Sequence, residues 1–352
     1  MNEQRDSFPY WDKILSMDQR VEDLIQRMKL EEKCEMMFQD MIVMRIDGAL
    51  APAQPHFGML SNEDMVHQKG MNHFNFLEAL GLAALRSTAL VEKFANVTRQ
   101  EYLAIGLRLA LHPQVDLATE PRWSRIGATF GEDSELMSKL VAAYIRGFQG
   151  ATLGPNSVST MTKHFPGGGP QKDGEDPHFA YGQEQDAGAA QIMHSYGMPV
   201  GTKYEEVGFA FNKAVITAHA SDVALLRLKA PFTPRTGAFE SLFHAGSLEY
   251  TEEEKGRRAD IFETVPTVIV DMYVDRPPVI PEVVQRASAL LFSYGSTADA
   301  FLDFIFGVYR PEGRLSFDLP SSTIAVYQSQ SDMSYDTKDP LFRFGHGLCY
   351  GE

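Results

Sequence analysis

The chain has 352 residues, 44% hydrophobic and 22% charged, which is ordinary for a folded protein and excludes disorder as the default state. Lys and Arg total 32 against 47 Asp and Glu, for a net charge of -15; that field repels phosphate backbones, so nucleic acid is not expected as a partner. Two cysteines, Cys34 and Cys349, are too few for a secreted disulfide scaffold. Met1 to Asp6 lead into no apolar run, and no stretch of about 18 apolar residues occurs, so neither a signal peptide nor a membrane partner is expected and the expected location is the cytoplasm.

Taken in chain order, residues 19–39 read as an amphipathic helix, with Val21, Leu24, Ile25, Met28 and Leu30 at helical spacing. Residues 45–75 read as a loop region with room for one short helix. Residues 77–106 carry the strongest helical signal, with Val91, Phe94, Ala95 and Val97 on one face and Gly106 as the stop. A short strand is expected at 107–111, followed by the turn-rich His112-Pro113-Gln114-Val115-Asp116. A helix capped by Asp133 or Ser134 should run over 133–149 to Gly150. A strand at 156–162 then enters a Gly/Pro loop at 165–182. Further on, strands are expected at 223–228, 265–273 and 287–292, and a helix at 297–306. The pattern is α/β, with a soft boundary near residue 220.

The loop after the 156–162 strand concentrates chemistry. It reads Lys163-His164-Phe165-Pro166-Gly167-Gly168-Gly169-Pro170. Consecutive glycines let a ligand approach the backbone, and Lys and His at a strand end supply donors and acceptors suited to sugar hydroxyls. The loop lacks the Gly-Lys-Ser/Thr ending of a phosphate loop. The spacing of His164, Asp173, Asp176 and His178 matches no standard zinc pattern, so no metal is expected, and nothing calls for a cofactor.

These residues resemble the Lys-His sugar-gripping motif of family 3 glycoside hydrolases of the β-glucosidase kind. Asp116-Leu117-Ala118-Thr119-Glu120-Pro121-Arg122-Trp123-Ser124-Arg125, with Thr129-Phe130-Gly131-Glu132-Asp133, is similar to a second signature of that family. The resemblance continues through Tyr196-Gly197-Met198-Pro199, Pro311-Glu312-Gly313-Arg314-Leu315 and Phe342-Arg343-Phe344-Gly345-His346-Gly347. It implies a retaining hydrolase of terminal non-reducing β-D-glucosyl residues, with a small saccharide or β-glucoside as partner. It also implies sugar contacts from Lys163, His164 and Arg125. Arg122 is a further candidate contact, and for both Arg122 and Arg125 the alternative is ion pairing with Glu120, Glu132 or Asp133. An oligomer is compatible with the sequence.

The family's nucleophile is an Asp in a Ser/Thr-Asp-Trp motif, and this chain has no such tripeptide; its two tryptophans are Trp11 and Trp123. Residues 212–217 resemble the helix before the nucleophile strand, yet residues 218–227 already resemble the next domain. Ser221-Asp222 stands at the amino end of a strand, the wrong end for a barrel site. Junctions near 75 and 185 also look shortened. The expected fold is therefore an incomplete or reorganised (β/α) barrel-derived sugar-binding domain over 1–220, plus a smaller sandwich-type α/β domain over 221–352. Two acid candidates remain. Asp176-Pro177-His178 resembles a dyad used by one branch of the family, and Glu249 falls where other members supply a Glu, or else is a surface residue before the acidic start Glu252-Glu253-Glu254.

Overall fold

The computed structural model describes residues 8–35, 40–41, 61, 63–64, 73–75, 79–164, 172–176, 223–235, 244–296 and 298–350. The predicted boundary near 220, His178, the glycines at 167–169, Tyr196–Pro199, Asn212–Thr217 and Ser221-Asp222 lie outside these residues.

Two parallel sheets organise the described chain. The first contains β1 (Asp40–Met41), β2 (His73–Asn75), β3 (Leu109–Ala110) and β4 (Ser159–Thr160), hydrogen-bonded in that order. Consecutive parallel strands in sequence order are the arrangement of one side of a (β/α) barrel wall. The second sheet contains β5 (Val223–Lys229), β6 (Thr267–Tyr273) and β7 (Ala289–Ser293), again parallel and in chain order. These three strands agree with the sequence expectation to within two residues at each end. The α/β class is therefore as expected.

Several helices differ from the simple periodic reading. The single helix expected at 19–39 is divided into α1 (Met17–Arg27) and α2 (Leu30–Glu35). Ser16 and Gln19 form a capping box that starts α1, Met28 turns extended, and the Glu32 carboxylate accepts from the Lys29 amide at 2.8 Å to begin α2. The segment 77–106 is likewise divided into α3 (Leu80–Ala84) and α4 (Thr88–Ala104). Arg86 adopts φ 51°, and its guanidinium donates to the Leu315 carbonyl at 3.1 Å and lies over the Phe344 ring. A tertiary contact with the far end of the chain thus breaks a helix that local propensity would continue, and Ser87 recaps it at Leu90.

The next helix, α5 (Ser134–Gln149), is capped by Asp133 and stopped by Gly150 at φ 77°, as its sequence requires. It packs along α4. Phe94 and Val97, expected on the buried face of α4, are 38% and 48% exposed, whereas Val91 and Ala95 are fully buried. The close approach of α5 selects that face: a Cβ on Gly147 would lie 2.5 Å from the Ala95 Cβ and 2.5 Å from the Glu92 carbonyl oxygen.

The remaining helices are α6 (Glu252–Thr264), α7 (Pro281–Arg286), α8 (Ala298–Ile305) and α9 (Thr323–Gln328). Helices α6 and α7 are the crossovers between β5, β6 and β7. No described helix is long and apolar enough to cross a membrane.

One core lies between α4, α5 and the first sheet. A second buries Val268, Val270 and Met272 of β6 together with Leu80, Trp123 and Ile126 from the first half of the chain. Leu315, Phe317 and Leu319 complete it. The C-terminal segment is pinned by buried polar bonds. The Glu132 carboxylate accepts from the amides of Asp318 and Tyr335 at 2.7 and 2.9 Å, and burial pushes its carboxyl up to about 7. Asp318 in turn accepts from Arg343 and the Phe344 amide, both at 2.7 Å.

Arg276, just after β6, is wholly buried. Its guanidinium donates to five backbone carbonyls: Arg122 at 3.3 Å, Gly246 at 3.1 Å, Pro231 at 2.9 Å, Ala245 at 3.0 Å and Ser247 at 2.8 Å. Burial lowers its pKa to about 10.

Substituting Gly147→Ala tests the helix packing. Alanine gains about 1 kcal/mol in helix propensity, but overpacking against rigid backbone costs about 1–3 kcal/mol. The expected outcome is a lower midpoint of urea unfolding with an unchanged far-ultraviolet spectrum; an equal or higher midpoint would contradict the packing described.

Candidate active site

The first sheet delivers its chemistry at the carboxyl ends of β3 and β4, where side chains of a parallel wall converge. Beyond β3 the chain continues through His112 to Asp116, and beyond β4 through Lys163 and His164. The two stay paired past the strands: Lys163 N donates to Pro113 O at 3.0 Å, and Val115 N to Lys163 O at 2.6 Å. The pairing fixes the two ends in one register.

His112 is not part of the site. It is buried, with Tyr144 Oη 2.8 Å from Nδ1 and Tyr102 Oη 3.4 Å from Nε2. Burial pushes its pKa down to about 3, so it is a neutral core residue.

His164 is different. Its Nδ1 lies 2.7 Å from Asp116 Oδ2, and the Asp116 side chain is fully buried. A carboxylate there assigns the proton to Nδ1 and leaves the Nε2 lone pair available. Nε2 is buried and has no hydrogen-bond partner among the described residues. Lys163 stands beside it. Burial, with the positive charge of Arg125, lowers its pKa to about 8, and Asp116 opposes this.

Arg125 belongs to the same cluster. Its Nε donates to Asp176 Oδ2 at 2.6 Å, the same oxygen that accepts from Trp123 Nε1 at 2.8 Å. The guanidinium also lies over the Trp123 ring. Lys163, His164 and Arg125, the three expected sugar contacts, are thus brought together by the ends of β3 and β4 and the 122–125 turn. Arg122 turns elsewhere. Its guanidinium makes a two-point ion pair with the buried Glu120, at 2.9 and 2.8 Å, reaches Asp173 at 3.3 Å and lies over the Tyr327 ring. The ion pair with Glu120 is thus present, and its hydrogen bond raises the Arg122 pKa.

Neither acid candidate is poised as a free carboxylate. Asp176, buried, is occupied by Trp123 and Arg125; its proposed partner His178 lies outside the described residues. Glu249 accepts from the Thr323 hydroxyl and amide and pairs with Lys255 at 3.6 Å. The Thr323 bond is the main reason its pKa is lowered.

A cavity of about 420 Å³ lies between the 173–176 turn and the second half of the chain, lined in part by Arg122, Asp176, Arg235, Ser247, Thr323 and Tyr327. Lys163 and His164 are not in its lining. The cluster carries the unsatisfied nitrogen, and the cavity adjoins it through Asp176. Glu249 stands behind the cavity wall, reaching it through Thr323. Among the described residues, no three His, Cys, Asp or Glu side chains are grouped to hold a metal. Asp116 and Trp123 were not singled out as functional from sequence. The position of Asp116, one loop beyond β3 opposite His164, is the signal that identifies it.

Residues 28–219 match the profile of the Glycosyl hydrolase family 3 N terminal domain. The chain belongs to glycosyl hydrolase family 3. It is 32% identical over 591 residues to β-glucosidase C of Emericella nidulans, covering 98% of this chain and 94% of that one. Against a probable β-glucosidase C of Aspergillus flavus the values are 31% over 590 residues, 98% and 92%. The chain is therefore β-glucosidase-like. Among solved structures it resembles a β-glucosidase from Listeria innocua in complex with glucose, with a TM-score of 0.57 and 13% identity over 96% of this chain and 84% of that one. It also resembles an exo-1,3/1,4-β-glucanase from a Pseudoalteromonas species, with a TM-score of 0.61 and 14% identity over 95% and 74%. At these identities the likeness is one of fold.

The depressed Lys163 pKa has a thermodynamic consequence. Its unfolded value is near 10.5 and its folded value about 8, so the folded state resists charging. That cost is fully present below pH 8 and fades as pH rises from 8 to 10.5. The stability of the native chain relative to a Lys163→Met variant should therefore rise over this window, by on the order of 2 kcal/mol. Urea unfolding of both at pH 7.5 and 10 measures it; subtracting the variant removes the opposing contribution of the buried tyrosines. A flat difference would place Lys163 in solvent.

Proposed function

We propose that this chain retains the sugar-binding half of a family 3 β-glucosidase site and has lost the covalent half. It binds a terminal non-reducing β-D-glucosyl residue, in a small saccharide or β-glucoside, without efficient hydrolysis. The observation that carries this reading is His164 Nε2: buried, oriented by Asp116 and without a partner among the described residues. An unsatisfied buried nitrogen costs about 1–3 kcal/mol, and a sugar hydroxyl donating to it relieves that cost. Lys163 supplies ammonium donors below pH 8, and Arg125, braced by Asp176, supplies the remainder. The Listeria relative, solved in complex with glucose, supports this choice of ligand.

Retaining hydrolysis needs a nucleophilic carboxylate opposite an acid. The Ser/Thr-Asp-Trp tripeptide is absent from the sequence, and Asp116, Asp176 and Glu249 are each engaged with protein groups. The lost segment fits an internal shortening that leaves the barrel incomplete. The alignments with the Emericella and Aspergillus proteins extend over 591 and 590 residues, against 352 in this chain, which supports gaps inside it. Loss of a catalytic group of this kind lowers turnover by roughly 10⁴-fold or more.

Two measurements on the full chain test the reading. Calorimetric titration with glucose at pH 7 should give saturable heat at millimolar sugar, and Lys163→Ala should weaken binding by about tenfold or more, as loss of a charged hydrogen bond requires. Release of 4-nitrophenol from its β-D-glucoside should not exceed that of Lys163→Ala. Absence of heat from a cooperatively melting protein would refute binding; turnover well above the variant would refute the loss of chemistry.

A further inference from the structure

A second cluster of titratable side chains, sharing no residue with the Lys163 cluster, lies at the carboxyl ends of β5 and β6. Lys229 is the last residue of β5, and Asp275 stands two residues beyond β6. His244 enters between them. Lys229 Nζ is 2.9 Å from His244 Nε2, and His244 Nδ1 is hydrogen-bonded to Asp275. Asp275 is buried, while the His244 side chain is 25% exposed and Lys229 is partly exposed. Phe232 packs its ring 4.3 Å from the imidazole and 4.7 Å from Lys229 Nζ, and Tyr273 closes the other side at 6.0 Å. The Lys229 backbone is held by Tyr250 Oη, which donates to its carbonyl at 2.5 Å.

The order is that of an activated nucleophile: a carboxylate orients an imidazole, and the imidazole faces the group to be deprotonated. The aromatic faces replace water around the amine. A proton leaving Lys229 stays within the cluster, on an imidazolium next to Asp275, so no charge is exported. Open ends of parallel strands are also where α/β sheets present ligands.

We propose that Lys229 is a carbonyl-reactive amine that condenses with small aldehydes, the open-chain form of a reducing sugar included, with His244 and Asp275 as its proton shuttle. His244 Nε2 takes a proton from the Lys229 ammonium. The amine attacks the carbonyl carbon, a C–N bond forms, and the carbonyl electrons pass to oxygen, which takes the proton back from the imidazolium. The carbinolamine nitrogen returns a proton to His244, which delivers it to the departing hydroxyl. A protonated imine and one water result, the charge of the original ammonium is conserved, and no oxidant or reductant is consumed. This step is independent of the reading of the Lys163 cluster.

Trapping on the full chain tests it. The protein is incubated at pH 7 with D-glyceraldehyde and sodium cyanoborohydride, which reduces the imine to a stable secondary amine, and adducts are counted by peptide mass spectrometry. General-base assistance is worth about 10²-fold or more, so Lys229 should be labelled at least about tenfold faster than the exposed Lys139. In His244→Gln, checked for an unchanged melting temperature, Lys229 should fall to the rate of Lys139. Equal rates in the native protein, or an undiminished Lys229 rate in a folded His244→Gln, would overturn the proposal. The comparison within the native protein stands even if the variant fails to fold.

Discussion

The guanidinium of Arg276 is buried completely and meets five backbone carbonyls, one from the Arg122 turn and four from the segments around Pro231 and residues 245–247. A buried cation costs less where its donors are satisfied, and Arg presents several in a rigid fork. Both terminal nitrogens of Arg276 donate to loop carbonyls, while its Nε has no partner among the described residues. The turn carrying Arg122, Trp123 and Arg125 is thereby fixed against the second sheet. The cavity walls, the stacking of Arg122 on Tyr327 and the approach of Arg125 to Asp176 all rest on that placement. Trp123, buried in the same core as β6, holds the turn from its apolar side.

The sugar cluster follows the same logic with one difference. Asp176 and Asp116 are buried carboxylates whose bonds orient Arg125 and His164. The cluster ends in donors and one imidazole nitrogen. Its donors and lone pair match the chemistry of hydroxyl groups, and among the described residues its two carboxylates, Asp116 and Asp176, are bonded to protein groups.

Much of this was legible in the sequence where local rules and tertiary packing agree. Asp133 and Gly150 bracket α5 as their types require, and β5, β6 and β7 follow their apolar runs. Lys163 and His164 stood out because they follow a strand end, and Arg125 through the family resemblance. The failures have a common cause. The break at Arg86 depends on Leu315 and Phe344, more than two hundred residues away, and the exposure of Phe94 depends on Gly147 admitting α5 so closely. Arg122 carried two readings because a guanidinium suits a carboxylate and a sugar equally, and its ion pair depends on where the fold places Glu120. The Lys229–His244–Asp275 cluster leaves no motif, since its members come from three segments joined only by the sheet.

The central claim is that a glucosyl hydroxyl completes His164. The most direct test is the Nε2 resonance of His164 in histidine-¹⁵N-labelled protein, assigned with a His164→Gln spectrum, followed as glucose is added at pH 7. The expected result is a saturable shift of that nitrogen at millimolar sugar while the buried His112 stays unmoved. A His164 signal that does not respond, in a protein that remains folded, would contradict it.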